Sequence, residues 1–289
     1  MDVSKIKDKA TKPVKTLQPH PDLDKLLDSP DFRPEEWVYE RKFDGVRCLY
    51  DPNTDECYSR TGTVYKNFDF LKEVCKRIQK HIPFPVVFDG EVCGTEFKDA
   101  SEQLFREVNV DTTKLTYQIF DIVVNNMPYN VRKDTLWMAM ADAEILSTEP
   151  VYCVVAFAME AKHTPDKIRS FVKNVIAHSK WEGVVFKKRD SLYEQGKKSC
   201  KLWVKGLIHH TEDLLVTGVV EGKGKLTGCV GKFLCDTCIV APGKATHEQL
   251  RHWWEHREDL PKIIEVAFKG KTGKALRHPR FVRARYDKD

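Results

Sequence analysis

Short runs of β-branched and aromatic residues recur through the first two thirds of the chain. Each is separated from the next by a turn or a helical stretch. The β-type runs fall at 37–50, 56–59, 86–88, 116–124 (TYQIFDIVV), 151–157 and 183–187. Helical spacing of apolar residues appears at 22–27, 68–79, 135–145 and 165–179, with Pro83-Phe84-Pro85 closing the second and Asp51-Pro52-Asn53-Thr54 reading as a turn. This alternation predicts a domain of mixed helices and strands running to about residue 207.

Beyond His209-His210 the texture changes. LLVTGVVEG, VGKFLCD, CIVAPG, KIIEVAFKG and RFVRARYD are short strands parted by glycine-rich turns. A single helix is expected from Thr246, whose hydroxyl can cap it with Gln249 three residues on. Five strands and one helix in so short a segment predict a small barrel of the OB type over 208–289.

Composition narrows the classes. A chain of 289 residues with 41% apolar residues can bury a real core. It has no apolar run long enough for a membrane helix, and no apolar stretch follows the lysines of its start, so neither a membrane protein nor a secretory signal is expected. The nine cysteines are scattered, which predicts free thiols in a reducing, cytoplasmic setting or inside a host cell for a phage or viral protein. Cys235-Asp236-Thr237-Cys238 has no second CxxC partner and reads as a turn rather than a metal site. Residues 208–289 hold 15 Lys/Arg against 11 Asp/Glu, so the C-terminal part is the better candidate for meeting a polyanion.

The stretch 37–50, read as a strand pair or a strand and turn, breaks its own pattern. In VYERKFDGVRCL, buried-looking flanks run into Lys42, Asp44, Gly45 and Arg47. A nucleophilic lysine has to be partly neutral, which desolvation or neighbouring positive charge can achieve. A salt-bridged strand end with a turn at Asp44-Gly45 is the plainer alternative.

Lys42-Phe43-Asp44-Gly45-Val46-Arg47 resembles the K-x-D-G-x-R motif of the covalent nucleotidyltransferases, the superfamily of DNA ligases, RNA ligases and mRNA capping enzymes. Other stretches resemble its further motifs in the same order: Ser59-Arg60-Thr61-Gly62, Phe88-Asp89-Gly90-Glu91, Tyr117-Gln118-Ile119-Phe120-Asp121, Glu182 to Lys187, Lys201 to Lys205, and Arg280 to Lys288. The resemblance implies an α+β nucleotidyltransferase (adenylation) domain with mixed antiparallel sheets over 1–207, followed by an all-β OB-fold barrel with one helix over 208–289. It implies that Lys42 is the nucleophile, and that Glu91 and Glu182 hold Mg²⁺ or Mn²⁺. Phe120 would stack on the purine, and Glu40, on the same strand face as Lys42, would read its amino group. Arg47, Arg60, Glu91, Lys201 and Lys205 would complete the ATP site, joined by Arg285, Asp287 and Lys288 closing over the triphosphate. One position departs from the pattern: Trp203 stands where the fifth motif has its first lysine, with Lys201 and Lys205 on either side.

Within the superfamily, Glu182-Gly183-Val184-Val185, Arg47 and the ending RFVRARYDK are closest to ATP-dependent DNA ligases of the minimal phage or virus type. Only 36 residues precede Trp37, so the expectation is a monomeric core without a helical DNA-binding domain. It would act on nicked double-stranded DNA, with the OB part moving between steps. Lys223, Lys225 and Arg283 are the candidate DNA contacts, and the basic N-terminus a further candidate or a loose tail. An mRNA capping guanylyltransferase or RNA ligase would use the same lysine; a non-catalytic nucleic-acid-binding module would not.

Overall fold

The computed structural model describes residues 16–20, 22–95, 97–145, 149–179, 181–196, 199–207, 210–268, 270–272 and 275–288. The lysines of the N-terminus, Lys197, Lys198 and His209 lie outside these residues. The chain divides into two compact units, Met1–Leu207 and Ile208–Asp289.

The first unit contains β1 (Pro19–His20), α1 (Leu23–Leu27), β2 (Trp37–Lys42), β3 (Val46–Asp51), β4 (Glu56–Ser59), α2 (Asp69–Lys80) and β5 (Val87–Cys93). It continues with α3 (Phe97–Gln103), β6 (Thr116–Val123), α4 (Tyr129–Asp142), β7 (Val151–Cys153), β8 (Ala156–Ala158), α5 (Pro165–His178), β9 (Gly183–Lys188) and β10 (Cys200–Gly206). Two five-stranded sheets result, ordered β1-β10-β9-β2-β8 and β4-β3-β5-β6-β7.

The strand pair expected over 37–50 is β2 and β3, and because the two belong to different sheets the segment between them is a crossing. Phe43, Asp44 and Gly45 carry the chain from one sheet to the other. A side chain at Gly45 would meet Val92 O at 2.4 Å and Glu91 Cγ at 2.8 Å, so only glycine lets the crossing pass this close to β5.

Several elements differ from expectation. The strand expected at 151–157 is two edge strands, β7 and β8, one on each sheet, because the chain changes sheets at Val154-Val155. The helix expected at 135–145 is α4, which begins six residues earlier. Its first turns bury Tyr129, Arg132 and Lys133. α3 carried no apolar periodicity strong enough to announce it. Cys48 and Cys57 pair as a disulfide, against the expectation of free thiols throughout. Tyr50 faces Cys57 across β3–β4 and Cys48 faces Ser59, which leaves the two cysteines diagonal neighbours on one sheet face.

The second unit contains β11 (His210–Glu221), β12 (Val230–Cys235), β13 (Ile239–Val240), α6 (His247–Glu255), β14 (Ile263–Phe268), β15 (Lys271–Thr272), β16 (Ala275–Leu276) and β17 (Arg280–Ala284). His210 is thus the first residue of a strand rather than of a connection. The sheet order is β13-β12-β11-β14-β17, and its two ends meet where Phe281 N donates to Ala241 O at 2.9 Å and Ala241 N to Pro279 O at 3.1 Å. This closes the sheet into an OB-type barrel and leaves no long free edge. Thr246 and Gln249 form a reciprocal capping box at the start of α6, which lays Leu250 and Trp253 on the barrel core beside Phe233 and Phe281. No helix among the described residues is long and apolar enough to cross a membrane.

Candidate active site

A cavity of about 170 Å³ in the first unit is bordered by Gln18, Pro19, Glu40, Arg41, Lys42, Phe43, Arg47, Arg60, Glu91, Phe120, Val185, Lys187, Trp203 and Lys205. Seven of the residues singled out in sequence therefore meet at one place: Glu40, Lys42, Arg47, Arg60, Glu91, Phe120 and Lys205. They arrive on β2, the sheet crossing, β3, the end of β4, β5, β6 and β10.

Lys42 is the last residue of β2. Its Nζ donates to Glu182, immediately before β9, and to Phe43 O at 3.3 Å. Gly183 faces Lys42 across the β2–β9 ladder, which fixes Glu182 beside the lysine. On the other sheet Glu91 Oε1 accepts the Gly45 N–H at 3.3 Å. Burial pushes the Glu91 carboxyl up to about 7, with Lys42 and Arg47 pulling against it and the like charge of Glu182 adding to it.

Arg47 is clamped by Asp89, Nε to Oδ1 and NH2 to Oδ2 at 2.5 Å each, and Tyr193 Oη donates to the same carboxylate at 2.5 Å. The guanidinium lies 4.7 Å from the Phe120 ring centroid. That aromatic face is held by the strand behind it, because the neighbouring Asp121 forms a fully buried fork with Arg132 of α4 at 2.8 and 2.9 Å.

Glu40 is buried, where a surface ion pair was the alternative in sequence. Tyr129 Oη, Lys133 Nζ and Lys187 Nζ all lie 2.5 Å from its carboxylate. Lys187 was missed as a site residue. It faces Trp203 across β9–β10, and its ammonium sits 4.0 Å from the centroid of that ring, as well as 4.9 Å from the Phe120 ring. Burial lowers its pKa, opposed by the Glu40 charge. The signal available in sequence was a lysine at the end of an apolar run, Val184-Val185-Phe186, where burial would demand a partner.

Trp203 occupies the position where a lysine was expected. It is buried, donates Nε1–H to Ser191 Oγ at 3.2 Å, and is met edge-on by Tyr129 and Tyr193. Lys201 does not join the site. It borders a separate cavity with Asp22, Lys25, Leu26, Ser29 and Val204. Four residues of strand displace it roughly 13 Å from Lys205, which alone of the two lines the cavity beside Lys42.

The remaining candidates lie in the second unit. Lys223 and Lys225 are exposed around a short turn, Arg283 pairs with Glu265 at 2.6 Å, and Arg285, Asp287 and Lys288 form ion pairs with one another and with Asp213.

Two sheets joined by a lysine-bearing crossing, followed by a closed OB barrel, define the covalent nucleotidyltransferase and OB-fold architecture. The family described as ATP dependent DNA ligase domain matches residues 18–206, and the chain belongs to it. The DNA ligase of Archaeoglobus fulgidus is 28% identical over 300 residues, covering 86% of this chain and 52% of that protein. The LigD end-joining protein of Mycolicibacterium smegmatis is 24% identical over 215 residues, covering 70% of this chain and 26% of that protein. The chain thus spans about half the length of the archaeal relative and about a quarter of the mycobacterial one. A solved Lig E DNA ligase aligns over 94% of this chain and 99% of its own with a TM-score of 0.72 at 16% identity. A structure named Pmar-Lig_Pre aligns over 95% of this chain and 68% of its own with a TM-score of 0.78 at 22% identity, a likeness of fold.

Proposed function

We propose that the chain is the catalytic core of an ATP-dependent DNA ligase, acting as a monomer on nicked duplex DNA through a lysyl-AMP intermediate. The company of Lys42 carries this reading: a lysine at a sheet crossing, between two carboxylates, opening on a cavity lined by Arg47, Arg60, Lys205 and an aromatic face. Nζ of Lys42, freed from Glu182 and deprotonated, attacks the α-phosphorus of ATP. A P–N bond forms as the P–O bond to pyrophosphate breaks. AMP then passes to the 5′-phosphate at the nick, releasing the lysine nitrogen. The 3′-hydroxyl attacks that phosphate, the backbone bond forms and AMP leaves.

Such phosphoryl chemistry depends mainly on position and charge. Arg60 and Lys205 supply positive charge at the cavity, and Phe120 supplies the face on which the adenine stacks. Glu40, fixed by Lys133 and Lys187, faces the base with its orientation set. The residues fit a divalent cation, since Glu91 and Glu182 offer two hard oxygen donors beside the phosphate path. Burial raises the Glu91 carboxyl to about 7 against the pull of Lys42 and Arg47, and the like charge of Glu182 adds to the rise, so a cation between the two carboxylates would be favoured. Mg²⁺ or Mn²⁺ bound there would neutralise charge on the phosphate oxygens. Exposed Lys223 and Lys225, with Arg283, are the proposed contacts to the duplex backbone.

Intact-mass measurement after incubation with ATP and Mg²⁺ tests the reading. The wild type is expected to gain the mass of one AMP and Lys42→Ala none. A wild-type protein that takes up no AMP would overturn it, and sealing of nicked DNA against RNA-containing duplexes then fixes the substrate.

A further inference from the structure

Four charged side chains of the second unit form one cluster. Arg285 NH1 donates to both oxygens of Asp213, at 3.0 and 2.9 Å, while its Nε and NH2 donate to the two oxygens of Asp287 at 2.9 Å each. Lys288 Nζ donates to Asp213 Oδ2 at 2.6 Å. Asp213 comes from β11, whereas the other three follow β17 on a turn pinned by Arg285 N to Ile263 O and Lys288 N to Arg285 O, both 2.9 Å. Asp287 travels with Arg285 on the same turn. Asp213 is the group that bridges the two cations from another strand.

A carboxylate that receives a guanidinium and an ammonium on its two oxygens presents them with what two phosphate oxygens would present. The cluster is partly open to solvent, where such pairs are held weakly and exchange with competing anions. We propose that Asp213 is an internal stand-in for substrate phosphate: its carboxylate occupies Arg285 and Lys288 between turnovers. ATP has to displace it to engage both cations, and departure of pyrophosphate lets it return. Asp213 is thus a positioning residue that weakens triphosphate binding and favours pyrophosphate release. This rests on the reading that Arg285 and Lys288 meet the triphosphate.

Asp213→Asn keeps the shape and removes the charge. The KM for ATP in lysine loading is expected to fall about two- to fivefold, and the reverse step, in which pyrophosphate takes AMP off preloaded protein as ATP, should half-saturate at correspondingly lower pyrophosphate. Asp213→Glu should move both values back toward wild type. The effect belongs to the loading step, so sealing by AMP-preloaded protein is the comparison measurement, with Tm recorded for each variant. Unchanged or raised KM for ATP with unchanged pyrophosphate sensitivity would overturn the proposal. So would a parallel loss of loading and sealing with a lowered Tm, which would make Asp213 a structural tie. Absence of AMP uptake by the wild type would instead remove the reading of the lysine chemistry itself.

Discussion

The two units handle charge in opposite ways. In the first, Asp89, Asp121, Glu40, Arg132 and Lys187 are buried, and each is met by partners that fill its hydrogen-bonding capacity. In the second, Asp213, Arg285, Asp287 and Lys288 sit at the surface or close to it and pair among themselves, and exposed Arg283 pairs with Glu265. A buried charge cannot be left unpaired without a large cost, so the first unit holds its cavity in one arrangement. An exposed pair costs little to open, so the second unit can trade one anion for another. The same residue types therefore build a fixed site in one unit and an exchangeable one in the other.

Arg132→Ala gives the largest effect expected from this contrast. It strands buried Asp121 and should cost about 3–5 kcal/mol, seen as a lowered midpoint in denaturant unfolding of the first unit. If Asp213→Asn lowered stability as much, the contrast would break. A smaller effect concerns pH. The folded-state pKa of Glu91 lies near 7 against an ordinary value of 4.5, so the native state holds this proton more tightly than the unfolded chain. Its contribution is present in full below pH 4.5 and is lost as pH rises through about 7. Glu91→Gln should flatten that part of the stability profile of the ligand-free protein, and an unchanged slope would show that Glu91 titrates normally. Smallest of all, Arg283→Ala should change stability by less than about 1 kcal/mol. Its DNA binding should weaken with a shallower salt dependence, measured by titration at several salt concentrations.

Much of the site was legible because its chemistry forced local anomalies in the chain. Lys42 and Gly45 interrupt an apolar pattern, Glu91 falls inside the apolar run of β5, and Glu182 stands immediately before that of β9. Residues whose role depends on distant partners left no such trace. Arg132 and Lys133 fall before the helix expected at 135–145, yet they are the buried groups that hold Phe120 and Glu40. Lys201 and Lys205 look equivalent in sequence and part company only in the fold, where they border different cavities. Asp213 sits in an ordinary barrel strand, and the pairing of β11 and β17 on either side of β14 brings it to Arg285. The OB barrel itself was readable from strand count and turn spacing.

The crossing at Phe43-Asp44-Gly45 has one more consequence. Lys42 and Glu182 are anchored in one sheet, and Glu91 in the other. The spacing of the three is therefore set by the seam between the sheets, and Gly45 is the stitch that draws it tight. A small molecule wedged into that seam would move Lys42 and Glu182 together away from Glu91.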